Sequence, residues 1–257
     1  VKTEAWMQAV RGRLALGRLL PLGGPDDGTW ITEEAAVRTL WRTAAEIPGV
    51  RLETMRIGPA PDEPVSEPAV RPPASALPPG PLRIEAAFTA SVAQPLHQAA
   101  EQVRSTLLNE AAERLGLTTV AVDLRVTDLH EGTGTQTAVR SRTAHKATTP
   151  PSKAAAARSS APATGTEPLR GPLGELAGVA SAVPGVARLT AALGGRPVRV
   201  EQQDDPPGRR IEVHLAVAPG HHPLEVARAV RAAVTDAATS DTQDPVTAAI
   251  LVTETMA

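Results

Sequence analysis

The chain has no cysteine and no tyrosine, and only three tryptophans and one phenylalanine among its 257 residues. Without cysteine there can be no disulfide, no thiolate nucleophile and no Cys-based zinc site. Trp6, Trp30, Trp41 and Phe88 make up the whole aromatic complement, which leaves almost nothing on which nucleic-acid bases could stack. Cores must therefore be built from Val, Leu, Ile and Ala. Neither sign of charge dominates: 26 Lys and Arg stand against 28 Asp and Glu, so there is no global basic field of the kind that drives binding to phosphate backbones. No run approaches the roughly 18 apolar residues of a membrane span, and the opening residues lack the apolar core of a signal peptide. These absences predict a cytoplasmic protein.

What is present is Ala, Gly, Pro and Arg, with lysine only at Lys2, Lys146 and Lys153, a usage typical of GC-rich bacterial genomes. The length suits two small domains with separate cores. The clearest break is 131–168, a Thr, Ser, Ala, Gly and Pro stretch in which Val139 is the only large aliphatic residue. It cannot bury enough to order itself, and with Arg140, Arg142, Lys146, Lys153 and Arg158 it reads as a long, basic, disordered linker. A second Pro-rich stretch, 59–81, is excluded from helix and central strand by Pro72, Pro73, Pro78 and Pro79. Strand-like sequence on both sides makes it an insertion between two strands.

The two flanks of the linker repeat each other. Thr32 caps a helix with Glu33 and Glu34 in its first turn and Val37, Leu40, Trp41 and Ala44 at helical spacing, stopped by Ile47-Pro48-Gly49-Val50. Pro172 opens another, striped by Leu173, Leu176, Ala180 and Val183 and stopped by Val183-Pro184-Gly185-Val186. Leu82, Ile84, Ala86 and Phe88 alternate as a half-buried strand does, and so do Ile211, Val213, Leu215 and Val217, which leaves His214 facing solvent. Pro95-Leu96 and Pro223-Leu224 each open a long helix. One carries Ala100, Val103, Leu107 and Leu115, the other Ala227, Val230, Val234 and Ala237. Val120 to Val126 and Val246 to Val252 close the repeats as strands, followed by Thr127-Asp128 and Thr253-Glu254. The predicted fold is α+β: two tandem helix-strand-strand-helix-strand repeats, each a two-layer sandwich. The organisation is an N-terminal amphipathic segment 1–30, a first repeat 31–130 with its insertion, the linker, and a second repeat 169–257.

The usual marks of catalysis are missing. His221-His222 is the only adjacent histidine pair and reads as a turn before Pro223, with no further ligand at helical spacing. His97, His130 and His145 form no constellation. Asp204-Asp205 with Pro206-Pro207-Gly208 is the chemistry of a hairpin turn after Val198-Arg199-Val200, and Asp26-Asp27-Gly28 is a turn likewise. Leu193-Gly194-Gly195-Arg196 lacks the spacing and the lysine of a phosphate cradle, and no Gly-x-Ser-x-Gly elbow occurs. No catalytic, cofactor-binding or metal-ligating residue is assigned, and no enzymatic activity is expected.

Val183-Pro184-Gly185-Val186 ahead of Leu193-Gly194-Gly195, then Ile211 to Val217, then Glu225-Val226-Ala227-Arg228-Ala229-Val230-Arg231, resembles the alkaline shock protein family of bacterial envelope stress response proteins. The resemblance covers Leu169 to Ala257; Ile31 to Asp128 follows the same order more loosely. It implies a non-enzymatic cytoplasmic scaffold or adaptor that assembles near the inner face of the membrane with other envelope stress proteins, as a homo- or hetero-oligomer, without cofactor. The alternative from another class is a nucleic-acid-binding α/β module, whose paired-helix Gly-x-x-Gly loop and exposed aromatics are absent. The candidate contact surface is the first segment. Trp6, Val10 and Leu14 recur every four residues, with Arg11, Arg13 and Arg18 off that stripe, a pattern suited to an anionic membrane surface or a partner's groove.

Overall fold

The computed structural model describes residues 18–73, 75–131, 171–191, 196–204, 207–240 and 244–256. The first half holds β1 (Leu19–Pro21), β2 (Thr29–Thr32), α1 (Glu33–Ala44), β3 (Val50–Pro59), β4 (Leu82–Ser91), α2 (Leu96–Glu110) and β5 (Thr119–His130). The second holds α3 (Pro172–Ala182), β6 (Val186–Leu189), β7 (Val198–Asp204), β8 (Pro207–Val217), α4 (Pro223–Thr239) and β9 (Val246–Thr255). A π-helical turn, Ala111–Leu115, extends α2 and ends at Gly116, whose left-handed φ of 78° lets its N–H reach back to Ala112.

The repeat is real at the level of individual hydrogen bonds. In each half the middle strand runs antiparallel to the strand before it and parallel to the strand after its helix, as β3-β4-β5 and β6-β8-β9. Gly49 and Gly185 both take positive φ, 74° and 91°, and their carbonyls accept from Ser91 and Ala218 at 2.7 and 2.8 Å. The register of the last pairing slips between Phe88 and Thr89 in one half and between Leu215 and Ala216 in the other. At each slip an extra threonine is left out of the pairing. Thr127 Oγ1 donates to Phe88 O at 3.1 Å and Thr253 Oγ1 to Leu215 O at 3.2 Å. A bulge disrupts the ladder, and a side-chain hydroxyl that bonds the freed carbonyl offsets that loss. The second repeat splits its first strand: β6 and β7 lie end to end along one edge of β8, and Asp204↔Pro207 closes the β7-β8 hairpin that the Asp/Pro/Gly run predicts.

Where the sequence predicts two separate cores, the structure has one main core. A continuous cluster runs from Leu20, Ile31 and Leu40 through Phe88, Val103 and Leu107 to Val213, Val230 and Ile250. The reason lies in two strands too short to read from sequence. β2 pairs in parallel with β9, Ile31 opposite Val252, and β1 pairs antiparallel with β2. The boundary expected at residues 30 and 31 thus falls inside a strand of the second repeat's sheet. Gly116 seals the junction, its carbonyl accepting from Gly23 N at 3.2 Å. A Cβ at Gly116 would lie 2.9 Å from Leu224 and 3.0 Å from His222, so only glycine permits this approach.

The Pro-rich insertion also crosses between halves. It leaves β3, returns to β4, and on the way lies over the outer face of β1, β2 and β9. There Val70 and the half-buried Ala76 pack with Leu19, Trp30, Ala249 and Leu251 in a second, smaller cluster. Backbone bonds hold it: Leu19 N to Ser75 O at 3.2 Å, Leu77 N to Leu19 O at 2.8 Å and Ala69 N to Pro25 O at 3.1 Å. Proline-rich backbone offers few donors, so it serves as a cover at a sheet edge and not as a further strand.

The remaining stripes fall close to their predicted faces. Leu40 and Ala44 of α1, Val103 and Leu107 of α2, Leu176 and Ala180 of α3, and Ala227, Val230 and Val234 of α4 are buried. Ala99 takes the buried place expected of Ala100, and Ala238 that of Ala237, one-residue offsets that leave the stripe itself in place. Thr32 caps α1 by accepting from Ala35 N at 3.2 Å.

Candidate functional site

Of the residues predicted to contact membrane or partner, Trp6, Val10, Arg11, Arg13 and Leu14 lie outside the described residues. Arg18 is described, and it is engaged within the chain. Its carbonyl accepts from Glu33 N at 2.8 Å, and its Nε stands 3.4 Å from Glu33 Oε2. Glu33 is buried and its other oxygen accepts from Ile57 N at 3.1 Å, so this carboxylate takes up a donor on the edge of β3 that faces away from β4. His145, Leu193, Gly194, Gly195, Asp205 and Pro206 also lie outside the described residues, as does 132–170, the bulk of the predicted linker.

Two polar constellations escaped the sequence reading. The first is on the outer face of β8, where Arg210, Glu212 and His214 follow one another every second residue. The prediction that His214 faces solvent is wrong: it is 1% exposed. Alternation correctly put it on the opposite face from Val213 and Leu215, but that face is itself covered, because His214 stands beside Leu251 of the second apolar cluster. His214 Nε2 and Glu212 Oε1 are 2.7 Å apart, and Arg210 Nη2 is 3.7 Å from Glu212 Oε2. The Glu212 carboxyl is held below the usual glutamate range, first by the His214 hydrogen bond, against the opposing effect of burial, and then by the charges of His214, Arg210 and Arg199. Arg210 Nε and Nη2 and His214 Nδ1 are buried without hydrogen-bond partners among the described residues. The row is thus a buried polar cluster centred on the Glu212 carboxylate.

The second is a clamp. Arg228 of α4 meets Asp27 through two bonds, Nε to Oδ1 at 2.8 Å and Nη2 to Oδ2 at 2.9 Å, while Arg231 Nη1 donates to the carbonyl of Asp26 at 2.8 Å. The Asp26-Asp27-Gly28 turn that the sequence predicts is therefore bolted to the second repeat. The Arg228 bond is the main cause of a lowered Asp27 pKa, with the Gly24 N–H also contributing. An open hollow of about 280 Å³ beside it is lined by Arg228, Arg231, Ala232, Thr235 and Asp236. Arg228 is engaged by Asp27 and Glu225, whereas Arg231 gives Nη1 to the turn and keeps a buried Nε with no partner among the described residues.

His97 is exposed on α2, His130 ends β5, and His221 and His222 precede α4 next to Gly185 and Gly116. Among the described residues no group of three or more His, Asp or Glu could hold a metal ion, and no helix is long and apolar enough to cross a membrane.

The feature best placed to meet another molecule is an edge. β9 has β8 on one side and β2 on the other. Its counterpart β5, 12 residues long, pairs only with β4 among the described residues. The matching bulges make Leu124–Val126 the equivalent of Ile250–Val252, the residues of β9 that β2 covers. Of the six large apolar residues standing exposed among the described residues, Val120 and Leu129 lie on β5, Val92 donates its N–H to His130 O at the end of β5, and Leu96 opens α2 just beyond. Comparison with protein-family models, with curated proteins and with solved structures finds no match to this chain.

Proposed function

We propose that the chain is a non-catalytic scaffold or adaptor that works through protein-protein contacts in a bacterial envelope stress response assembly, in the cytoplasm at the inner face of the membrane. The observation that supports it most is the unequal treatment of two equivalent edges. Among the described residues the repeat closes one third-strand edge internally with β2 and leaves the other, on β5, open and flanked by exposed apolar side chains. An unpaired strand presents a row of backbone donors and acceptors ready to take an extended partner. The envelope role rests on the resemblance of the second repeat to alkaline shock proteins, and the membrane contact on the amphipathic pattern of Trp6, Val10, Leu14, Arg11, Arg13 and Arg18.

Capture from a native lysate on the immobilised full chain tests the first part. The scaffold reading expects envelope-associated proteins retained in stoichiometric amounts through a high-salt wash. Retention of nucleic acid alone, lost as salt rises, would favour the alternative module. Sedimentation with anionic vesicles tests the second part by comparing the full chain with one lacking residues 1–17, a cut that spares β1 at Leu19–Pro21. Equal binding by both would remove the membrane role.

A further inference from the structure

We infer that the open edge of β5 is a homodimer interface, in which two copies pair β5 antiparallel about a two-fold axis at Leu124 and join their three-stranded sheets into one of six. This rests on the scaffold reading and names the partner as a second copy of the chain. The argument is self-complementarity. A two-fold contact is isologous, so residue i of one copy meets residue j of the other and the reverse. With the axis at Leu124, Asp123 lies opposite Arg125 of the second copy on the outer face, twice over by symmetry. Val122 lies opposite Val126 on the helix-covered face. Val120 and Leu129, both 50% exposed, stand near opposite ends of the strand, so the same axis brings each toward the other's counterpart.

The charges fit what each copy already carries. Asp123 Oδ2 is 3.2 Å from Arg83 Nη1, and Arg83 also pairs with Glu85. The outer face therefore presents Glu85, Arg83 and Asp123 in alternating sign, and Arg125 of the second copy continues the series. Arg125 is exposed and no ion pair engages it among the described residues. Sliding the axis to Val122 would set Asp123 against Ala121 and leave Arg125 facing Thr119, which loses both ion pairs. Opposite charges directly across a strand pair stabilise it and like charges weaken it. The edge at the other side of this sheet is less available, because Glu33 already occupies the Ile57 N–H of β3.

Sedimentation equilibrium of the full chain tests the inference, and a dimer is expected. Arg125→Asp places Asp opposite Asp123 at both pairs and weakens the dimer about tenfold. The double variant D123R/R125D restores opposite charges across the axis and recovers most of that loss, although it forfeits the Arg83 pair inside each copy. A role in folding alone would make the double variant worse than R125D. Because the chain has no native cysteine, L124C offers a second route: on the axis, its thiols meet and are oxidised by dissolved oxygen to a disulfide-linked dimer, whereas A121C, opposite Thr127 and far from its own counterpart, is not. A chain monomeric at all concentrations, a dimer indifferent to R125D, or equal cross-linking of L124C and A121C overturns the inference. Envelope proteins retained by a monomeric chain would leave the scaffold reading standing without it.

Discussion

His214→Ala should destabilise the protein by about 2–4 kcal/mol, although simple strand alternation makes it a harmless surface change. The hydrogen bond from the imidazole to the Glu212 carboxylate is short, 2.7 Å, and a bond to a charged partner is worth about 1.5–3 kcal/mol. Emptying the space of a ring that is 1% exposed adds about 1 kcal/mol in lost contacts. Against a total stability of about 5–15 kcal/mol, the loss is large. Urea denaturation followed by tryptophan fluorescence should show the midpoint falling by about 1 M with an unchanged slope. Glu212→Gln separates charge from packing. The Glu212 carboxyl is depressed in the folded protein, so its contribution is present above the ordinary glutamate value of about 4.3 and is lost as pH falls through the folded value. The difference between wild type and E212Q should therefore be greatest near neutrality and close in acid. A change below about 0.5 kcal/mol for H214A, or a difference that widens in acid, would refute the account of this row.

Paired positions in the two repeats allow internal comparisons by the same denaturation assay. Gly185→Ala should cost more than Gly49→Ala: both hold positive φ, but a Cβ at 185 meets Val226 at 2.5 Å whereas one at 49 meets Ser91 at 3.0 Å. The first should exceed about 2 kcal/mol and the second stay nearer 1. Thr253→Val should cost about 1–2 kcal/mol, because its buried hydroxyl serves both Leu215 O and Thr190, while Thr127→Val, at an exposed bulge, should cost less than about 1. Equal losses within either pair would mean that the repeats do not use these devices as described.

Much of the repeat was legible because its signals are local. Thr32 as a cap, the two Pro-Gly stops, prolines at 95 and 223, and alternation over Leu82–Phe88 and Ile211–Val217 each act within a few residues, and the observed elements follow them. What was missed depends on distant partners. β1 and β2 have three and four residues, too few for a period to show, and Thr29–Ile31 finds its partner about 220 residues later. Their presence turns two expected domains into one core. The cover over Trp30 and Leu251 comes from Val70 and Ala76 in a stretch whose prolines correctly exclude regular structure but give no sign of where it lies. His214 was misread for that reason: a period of two assigns faces, and only the tertiary fold says whether both are covered. Asp27 was read correctly as a turn residue, yet the Arg228 that holds it is 201 residues away.

The most direct test of the fused architecture is to express the chain as two separate polypeptides, residues 1–150 and 151–257, together and apart. The account predicts that they co-purify as a one-to-one complex with a single cooperative melting transition, because β2 completes the sheet of β9 and the Asp27-Arg228 clamp and Gly116 junction lie between the pieces. Each piece alone should be poorly folded, the first with β1 and β2 unpaired from β9 and the second with an open β9 edge and Leu251 uncovered. Two pieces that fold independently, melt in separate transitions and fail to associate would contradict it.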